Sequence, residues 1–309
     1  MSRAGWAWLR LAGGAAVLGV LLWRLGSGPF LTGLRTVDAT ALVAGALLAV
    51  PVTVCCAWRW TLVAHGLRVP LPLPAAVAAY YRSQLLNTTL PGGVLGDVHR
   101  AVRHGRDAGH TGRGLRAVAW ERFAGQVVLV AVAVPVLVLL PSPVRLPFPL
   151  VVAGAAVLAL GTRLLVRAGG RTRGGRAVRR DVRHGLLRRW PGVLAASALA
   201  VSGHVATFLV AARTAGVTAP VLTLLPLALL VLVAMGVPAN VAGWGPREGI
   251  AAWAFGAAGL GAEAGVATAV VYGVMAMVAS LPGLVVLLVG RSRAPAAPPV
   301  PGLEGACHG

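Results

Sequence analysis

The chain has 309 residues, of which 57% are hydrophobic and only 12% charged, at a mean hydropathy of +0.80; about half the usual soluble share of charge is present. Apolar stretches recur from the first residues almost to the last, which excludes a soluble globular domain and an intrinsically disordered chain. The net charge is +20, from 28 basic residues against 8 acidic ones, and every basic residue is arginine.

At about 20 apolar residues per crossing, the chain reads as an all-α polytopic integral membrane helical bundle of about eight spanning helices with re-entrant or broken segments. This single domain occupies 1–290, and a Pro/Ala-rich tail follows over 291–309. Arg3 and Arg10 precede an apolar run to about Leu25. No small-residue cleavage pattern follows Leu22, Trp23 and Arg24, so the run is expected to stay as an uncleaved first helix. The second span runs from about Asp38 to Ala64, with Trp58, Arg59 and Trp60 at its interfacial end.

Leu71 to Gly96 departs from simple spanning. It carries Arg82, Gln84, Asn87, Thr88 and Thr89, then a Pro91-Gly92-Gly93 break, between two basic flanks. A re-entrant or interfacial helix is expected, its irregular backbone buried in protein or facing a water-filled cavity. Ala117 to Leu140 is long enough to cross, Pro141 and Pro143 break it, and Pro147 to Arg167 returns. Pro191 to Ala212 and Pro220 to Pro238 form a further hairpin, a shorter segment lies at about Glu248 to Leu260, and Val266 to Gly290 closes the bundle. Between them, Gly236 to Gly249 is a second interruption, where Pro238, Asn240, Gly243, Gly245 and Pro246 stand beside Arg247 and Glu248. Many transporters build a substrate site from such broken helices, whose N-termini offer free N–H groups to an anion.

The arginines cluster. Arg100, Arg103, Arg106, Arg113 and Arg116 lie in one connection and ten, from Arg163 to Arg189, in another. Basic loops between apolar spans mark the cytoplasmic side, so both termini are expected in the cytoplasm of a cell-membrane protein. The expected partners of these loops are anionic lipid headgroups rather than nucleic acid. Cys55 and Cys56 are neighbours in an apolar helix and Cys307 is in the tail, so neither a disulfide nor a metal site is expected. No HExxH, CxxC or Walker A pattern occurs, and no cofactor is expected.

Charge inside a bilayer costs roughly 2.5 to 3.5 kcal/mol per residue on insertion scales, which makes the few acidic residues informative. Asp97 follows the first glycine-rich break, Glu121 opens an apolar helix beside Arg122, and Glu248 adjoins Arg247. Sequence neighbours on a helix point about 100° apart, so the carboxylates should find partners on other segments. One reading joins Asp97, Arg100, Glu121, Arg122, Arg247 and Glu248 in a single polar network in the cytoplasmic half of the bundle. The plainer reading has Asp97 capping the helix that leads into Arg100, and Glu121 with Arg122 as an interfacial pair.

The run Asn87-Thr-Thr-Leu-Pro91-Gly92-Gly93-Val-Leu-Gly96-Asp97-Val-His-Arg100, then Glu121-Arg122-Phe-Ala-Gly125, resembles the motif pair of the lysylphosphatidylglycerol synthase transmembrane region family. Pro238-Ala-Asn-Val-Ala-Gly243-Trp-Gly245-Pro-Arg247-Glu248-Gly249 is similar to its second signature. The resemblance implies a flippase-like membrane domain of a stand-alone kind. In the larger synthases this region is linked to moving the modified lipid between leaflets, while a soluble domain makes it. No such domain follows here, so aminoacyl transfer is not expected; other members are associated with glycolipid, isoprenoid or hopanoid pathways. The function implied is translocation of a phospholipid or lipid-linked intermediate, with no catalytic residues. The substrate path or polar network would comprise Asn87, Pro91, Gly92, Gly93, Asp97, Arg100, Glu121, Arg122, Gly243, Gly245, Arg247 and Glu248. The two glycine-rich breaks should then meet near Glu121. Two other readings stand beside it. One is a non-catalytic accessory protein that partners a lipid- or glycolipid-modifying enzyme through its basic loops. The other is a membrane enzyme with Asp97 or Glu121 as base, which would need a metal or nucleotide site that no motif supplies.

Overall fold

Asp38 starts the first long crossing. In a computed structural model, which describes residues 3–90, 93–140, 173–236 and 244–292, its carboxylate accepts the Ala41 N–H at 2.7 Å. Helix α3 (Ala39–Gly66) runs from that cap. Ahead of it, α1 (Arg3–Leu25) and α2 (Gly28–Thr36) meet at a 98° bend. After it come α4 (Leu73–Thr89), α5 (Leu95–Asp107) and α6 (Thr111–Leu139). Beyond residues 141–172, α7 (Arg173–Asp181) leads through a π-helical turn, Val182–Leu186, and a 3-10 turn, Leu187–Arg189, into α8 (Trp190–Thr214). Helices α9 (Val221–Met235), α10 (Pro246–Ala257), α11 (Ala262–Ala279) and α12 (Pro282–Ser292) complete the described chain. No sheet occurs among the described residues.

The chain is an all-helical membrane protein, and the described residues hold fewer outright crossings than the eight expected of the whole chain. Among the described residues four stretches are long and apolar enough to span, Ala39–Gly66, Thr111–Leu139, Val178–Thr214 and Ala262–Val289, and five if the bent α1–α2 pair counts as one. The expectation of about eight treated several shorter pieces as crossings. Helix α9 has 15 residues and α10 has 12. At 1.5 Å per residue these reach about 22 and 18 Å, short of a hydrocarbon core of about 30 Å. The closing span is also interrupted, at Ser280 and Leu281, between α11 and α12. The expected return helix, Pro147 to Arg167, lies outside the described residues.

Helix α4 has only 17 residues and packs against α3, α5 and α12, so it is held inside the bundle by protein on several sides. The most extensive helix pair is α3 with α8. Trp60 and Tyr80 anchor one apolar core around α3, α4 and the start of α8, while Phe208, Phe255 and Tyr272 anchor a second between α8, α10 and α11. Val43, Leu47 and Val50 on α3, Leu199 on α8 and Leu222 on α9 face outward. Such an apolar exterior suits lipid rather than water.

The described parts of both arginine-rich connections lie on one face. Arg116, near the start of α6, donates through Nε to Asp181 at 2.6 Å, and Gly66 at the end of α3 packs against Gly185 in the turn before α8. The ends of α3, α6 and α8 therefore share one end of the bundle.

Candidate functional site

Glu121 lies ten residues into α6, about 15 Å from that basic end, and is fully buried. Its Oε1 accepts from Arg59 Nε at 3.0 Å and Nη2 at 2.5 Å, and from the Tyr80 hydroxyl at 2.9 Å. Its Oε2 accepts from Arg100 Nη2 at 2.8 Å. Arg59 spends its remaining Nη1 on Ser197 Oγ at 3.1 Å. One carboxylate thus ties α3, α4, α5 and α6 together, and Arg59 adds α8.

Arg100 carries the connection to Asp97. Its Nε donates to Asp97 Oδ1 at 3.0 Å, and Ser83 Oγ donates to the same oxygen at 3.1 Å. Asp97 Oδ2 accepts from Asn87 Nδ2 at 3.2 Å and from Arg122 Nη2 at 2.5 Å. The Arg100 guanidinium also lies against two rings, its Cζ 4.6 Å from the Trp60 centroid and 4.2 Å from that of Tyr80, a cation–π arrangement strengthened by desolvation. Asn87 Oδ1 accepts the Gly96 N–H at 2.8 Å, so the break between α4 and α5 is pinned at the residue beside Asp97.

Glu121 and Arg122 divide their work as their helical positions require. Glu121 points inward, whereas the Arg122 side chain is 50% exposed and reaches only Asp97. They are not a local pair, and Asp97 bonds to side chains on α4, α5 and α6 rather than to N–H groups of its own helix. Outside the spanning helices, burial alone would raise the Asp97 carboxyl, but the Arg122 and Arg100 guanidiniums outweigh it and hold the group well below the usual carboxylate range. A carboxyl depressed by folding contributes stability above its unfolded value of about 3.9, and that contribution is lost as the pH falls below it. The melting temperature in detergent should therefore drop between about pH 5 and 2, and Asp97→Asn should drop less over the same range; equal slopes would remove Asp97 as the cause.

Arg247 and Glu248 do not join this network. Arg247 donates through Nε at 2.8 Å and Nη2 at 2.5 Å to Glu248 Oε1, its sequence neighbour. The expectation of a partner on another segment fails here because Glu248 is at the first turn of α10. There its carboxylate folds back to accept the Gly245 N–H at 2.7 Å, which brings it under the guanidinium. Gly245 has φ 124°, a backbone state that L side chains rarely adopt. Arg247 Cζ lies 5.2 Å from the Trp244 ring and 5.8 Å from that of Tyr272. Two of the buried guanidiniums lie over a glycine, Arg59 over Gly125 and Arg247 over Gly273, where a Cβ would collide with them.

The two clusters approach through uncharged groups. His204 Nδ1 on α8 and the Tyr272 hydroxyl on α11 are 2.9 Å apart, with Arg247 beyond the tyrosine ring. Gly236, where the second interruption begins, packs against Gln126 of α6. Gly93 is described, with φ 59°; Pro91, Gly92 and Gly243 lie outside the described residues, as do Pro238 and Asn240. Sequence reasoning missed Arg59 as a network member, together with Tyr80, Ser83 and Ser197. Only Arg59 carried a signal, an arginine inside an apolar run.

The family model described as Lysylphosphatidylglycerol synthase TM region matches residues 7–283. No curated protein matches the chain.

Proposed function

Because the chain belongs to the lysylphosphatidylglycerol synthase TM region family, an integral membrane family of lipid-related function, we propose that it is a lipid translocase. In this reading it moves the headgroup of a phospholipid or lipid-linked intermediate past a buried charged site while the acyl chains stay in the bilayer. The observation that carries the reading is the imbalance at the Glu121 network. Three guanidiniums, Arg59, Arg100 and Arg122, face two carboxylates, Asp97 and Glu121, leaving one net positive charge at a site that is buried except at Arg122.

Arg122 is the entrance. Its half-exposed side chain has donors to spare after Asp97, and a guanidinium grips a phosphate through paired N–H bonds. The apolar exterior beside it accommodates the chains. The basic end bearing Arg116 faces the cytoplasm of the plasma membrane, with both termini on that side, and meets anionic headgroups there.

The test is reconstitution into liposomes carrying fluorescent phospholipids of several headgroups, scored by reductant quenching of the outer leaflet. Wild type should expose inner-leaflet lipid in a headgroup-dependent way, and Arg122→Gln should slow this by about tenfold, the loss expected for one charge-assisted contact. Protection equal to that of empty liposomes would count against translocation. The accessory reading draws on one observation, the Arg116–Asp181 bond that joins the two arginine-rich connections into one platform. It would gain if an enzyme partner bound that platform while the protein alone moved no lipid.

A further inference from the structure

Six of the seven histidines lie at helix ends, in α5, in the turns or in the tail; His204 alone stands near the middle of a spanning helix. It is fourteen residues past Trp190, about 21 Å along α8 from the basic end. An ionisable side chain at that depth is costly unless it has a partner or a role, and the translocase reading gives it none. Its hydrogen-bond partner is the neutral Tyr272 hydroxyl, 2.9 Å away. We propose that His204 is a proton carrier, taking up one proton as an anionic headgroup enters the Glu121 site and releasing it when the headgroup leaves, so that lipid movement is coupled to a proton gradient. This rests on the translocase reading and supplies the driving force that a chain without a Walker A motif lacks.

The surroundings of His204 set the sign of the coupling. Helix α3 brings Arg59 and Cys56, α6 brings Arg122 and the already paired Glu121, α11 brings Tyr272, and α9 brings no titratable group. The turn Leu187–Arg189 contributes Arg188 and Arg189 four turns away at the start of α8, and on α8 itself Ser197, two turns from His204, holds Arg59 Nη1. An imidazolium at His204 therefore lies within electrostatic reach of two guanidiniums, Arg59 and Arg122, with both nearby carboxylates already engaged. A phosphate at Arg122 cancels that repulsion. Proton and headgroup then favour one another's binding, and the coupling is reciprocal.

The hydrogen bond offers a switch. Neutral imidazole either accepts at Nδ1 from the Tyr272 hydroxyl or donates to it, whereas imidazolium only donates. Protonation fixes Tyr272 as acceptor, on a ring whose centroid is 5.8 Å from Arg247. The only bond formed is N–H on the imidazole; the proton comes from the water on one side and returns to water on the other.

Short-chain phosphatidylglycerol, titrated onto the full chain in detergent between about pH 5 and 8, tests the linkage without transport. Wild-type affinity should tighten toward low pH by up to about tenfold per unit, the limit for one linked proton. His204→Gln should give a flat line, and Tyr272→Phe, which removes only the hydroxyl, should move the midpoint. In liposomes, an imposed proton gradient should drive wild-type translocation and have no effect on His204→Gln. A wild-type affinity independent of pH, or a pH dependence that survives His204→Gln, overturns the proposal even if lipid is moved. A linked proton with no lipid movement in the wild type would instead overturn the translocase reading and leave the proton site standing. Should His204→Gln fail to fold, an unchanged midpoint in Tyr272→Phe is the overturning result.

Discussion

Glu121→Ala should destabilise the protein by about 3–5 kcal/mol, the range found when one partner of a buried ion pair is removed. The size follows from what is left behind. Arg59 and Arg100 both lose a carboxylate oxygen, the Tyr80 hydroxyl loses its acceptor, and arginine cannot shed its proton to escape. The check is the midpoint of unfolding in detergent together with the yield of monodisperse protein. A midpoint within a degree or two of wild type would mean that water replaces the carboxylate and that the site is wetter than its burial implies. The companion double variant, Arg59→Met with Glu121→Leu, removes a cation along with the carboxylate while Arg100 retains Asp97 and its two rings. It should recover much of the stability, because apolar replacements of buried pairs are often neutral, yet translocate nothing. Recovery of both stability and translocation would show that the charges serve neither.

Gly96→Ala should be nearly as damaging, for a steric reason. A Cβ on Gly96 would overlap the backbone carbonyl oxygen of Ser83 on α4, and neither backbone has a side-chain end that can yield. To admit it, α5 must move off α4. That movement pulls Gly96 from Asn87 and Asp97 from Ser83 and Asn87. Overpacking of this kind costs typically about 1–3 kcal/mol, and headgroup-dependent translocation should disappear with it. Gly112→Ala is the control, since the nearest atom to its Cβ is 3.8 Å away; if both variants behaved like wild type, the α4–α5 contact would be dispensable.

Much of this arrangement is written locally. Asp38 before an apolar run marks the start of α3, and the polar residues of 82–89 followed by Pro91-Gly92-Gly93 mark α4 as a segment held by protein rather than lipid. The pairing of Glu121 is a different matter. Its partners are separated from it by 62, 41 and 21 residues, and Arg59 meets Ser197 across 138. Local periodicity carries no trace of such distances; the argument that neighbours on a helix diverge correctly sends Glu121 elsewhere without saying where. The same argument misleads at Glu248 because a helix start is not a helix interior. There the free N–H of Gly245 attracts the carboxylate back toward its neighbour. The short α9 and the break at Ser280 were hidden by continuous apolar composition, which sets the environment of a segment but not its length.

The unequal support of the two arginines on Glu121 fixes an order of failure. Take the carboxylate away and Arg100 still has Asp97, Trp60 and Tyr80, while Arg59 keeps little beyond the Ser197 hydroxyl and the Cys56 thiol. Helices α3, α4 and α5 remain riveted to each other, and α6 remains hooked to α5 through Arg122 and Asp97. The seam that loses most is α3 against α6, where the Arg59 guanidinium lies on Gly125. Loss of that one carboxylate therefore loosens α3 from α6 before it loosens the helices that Asp97 still joins.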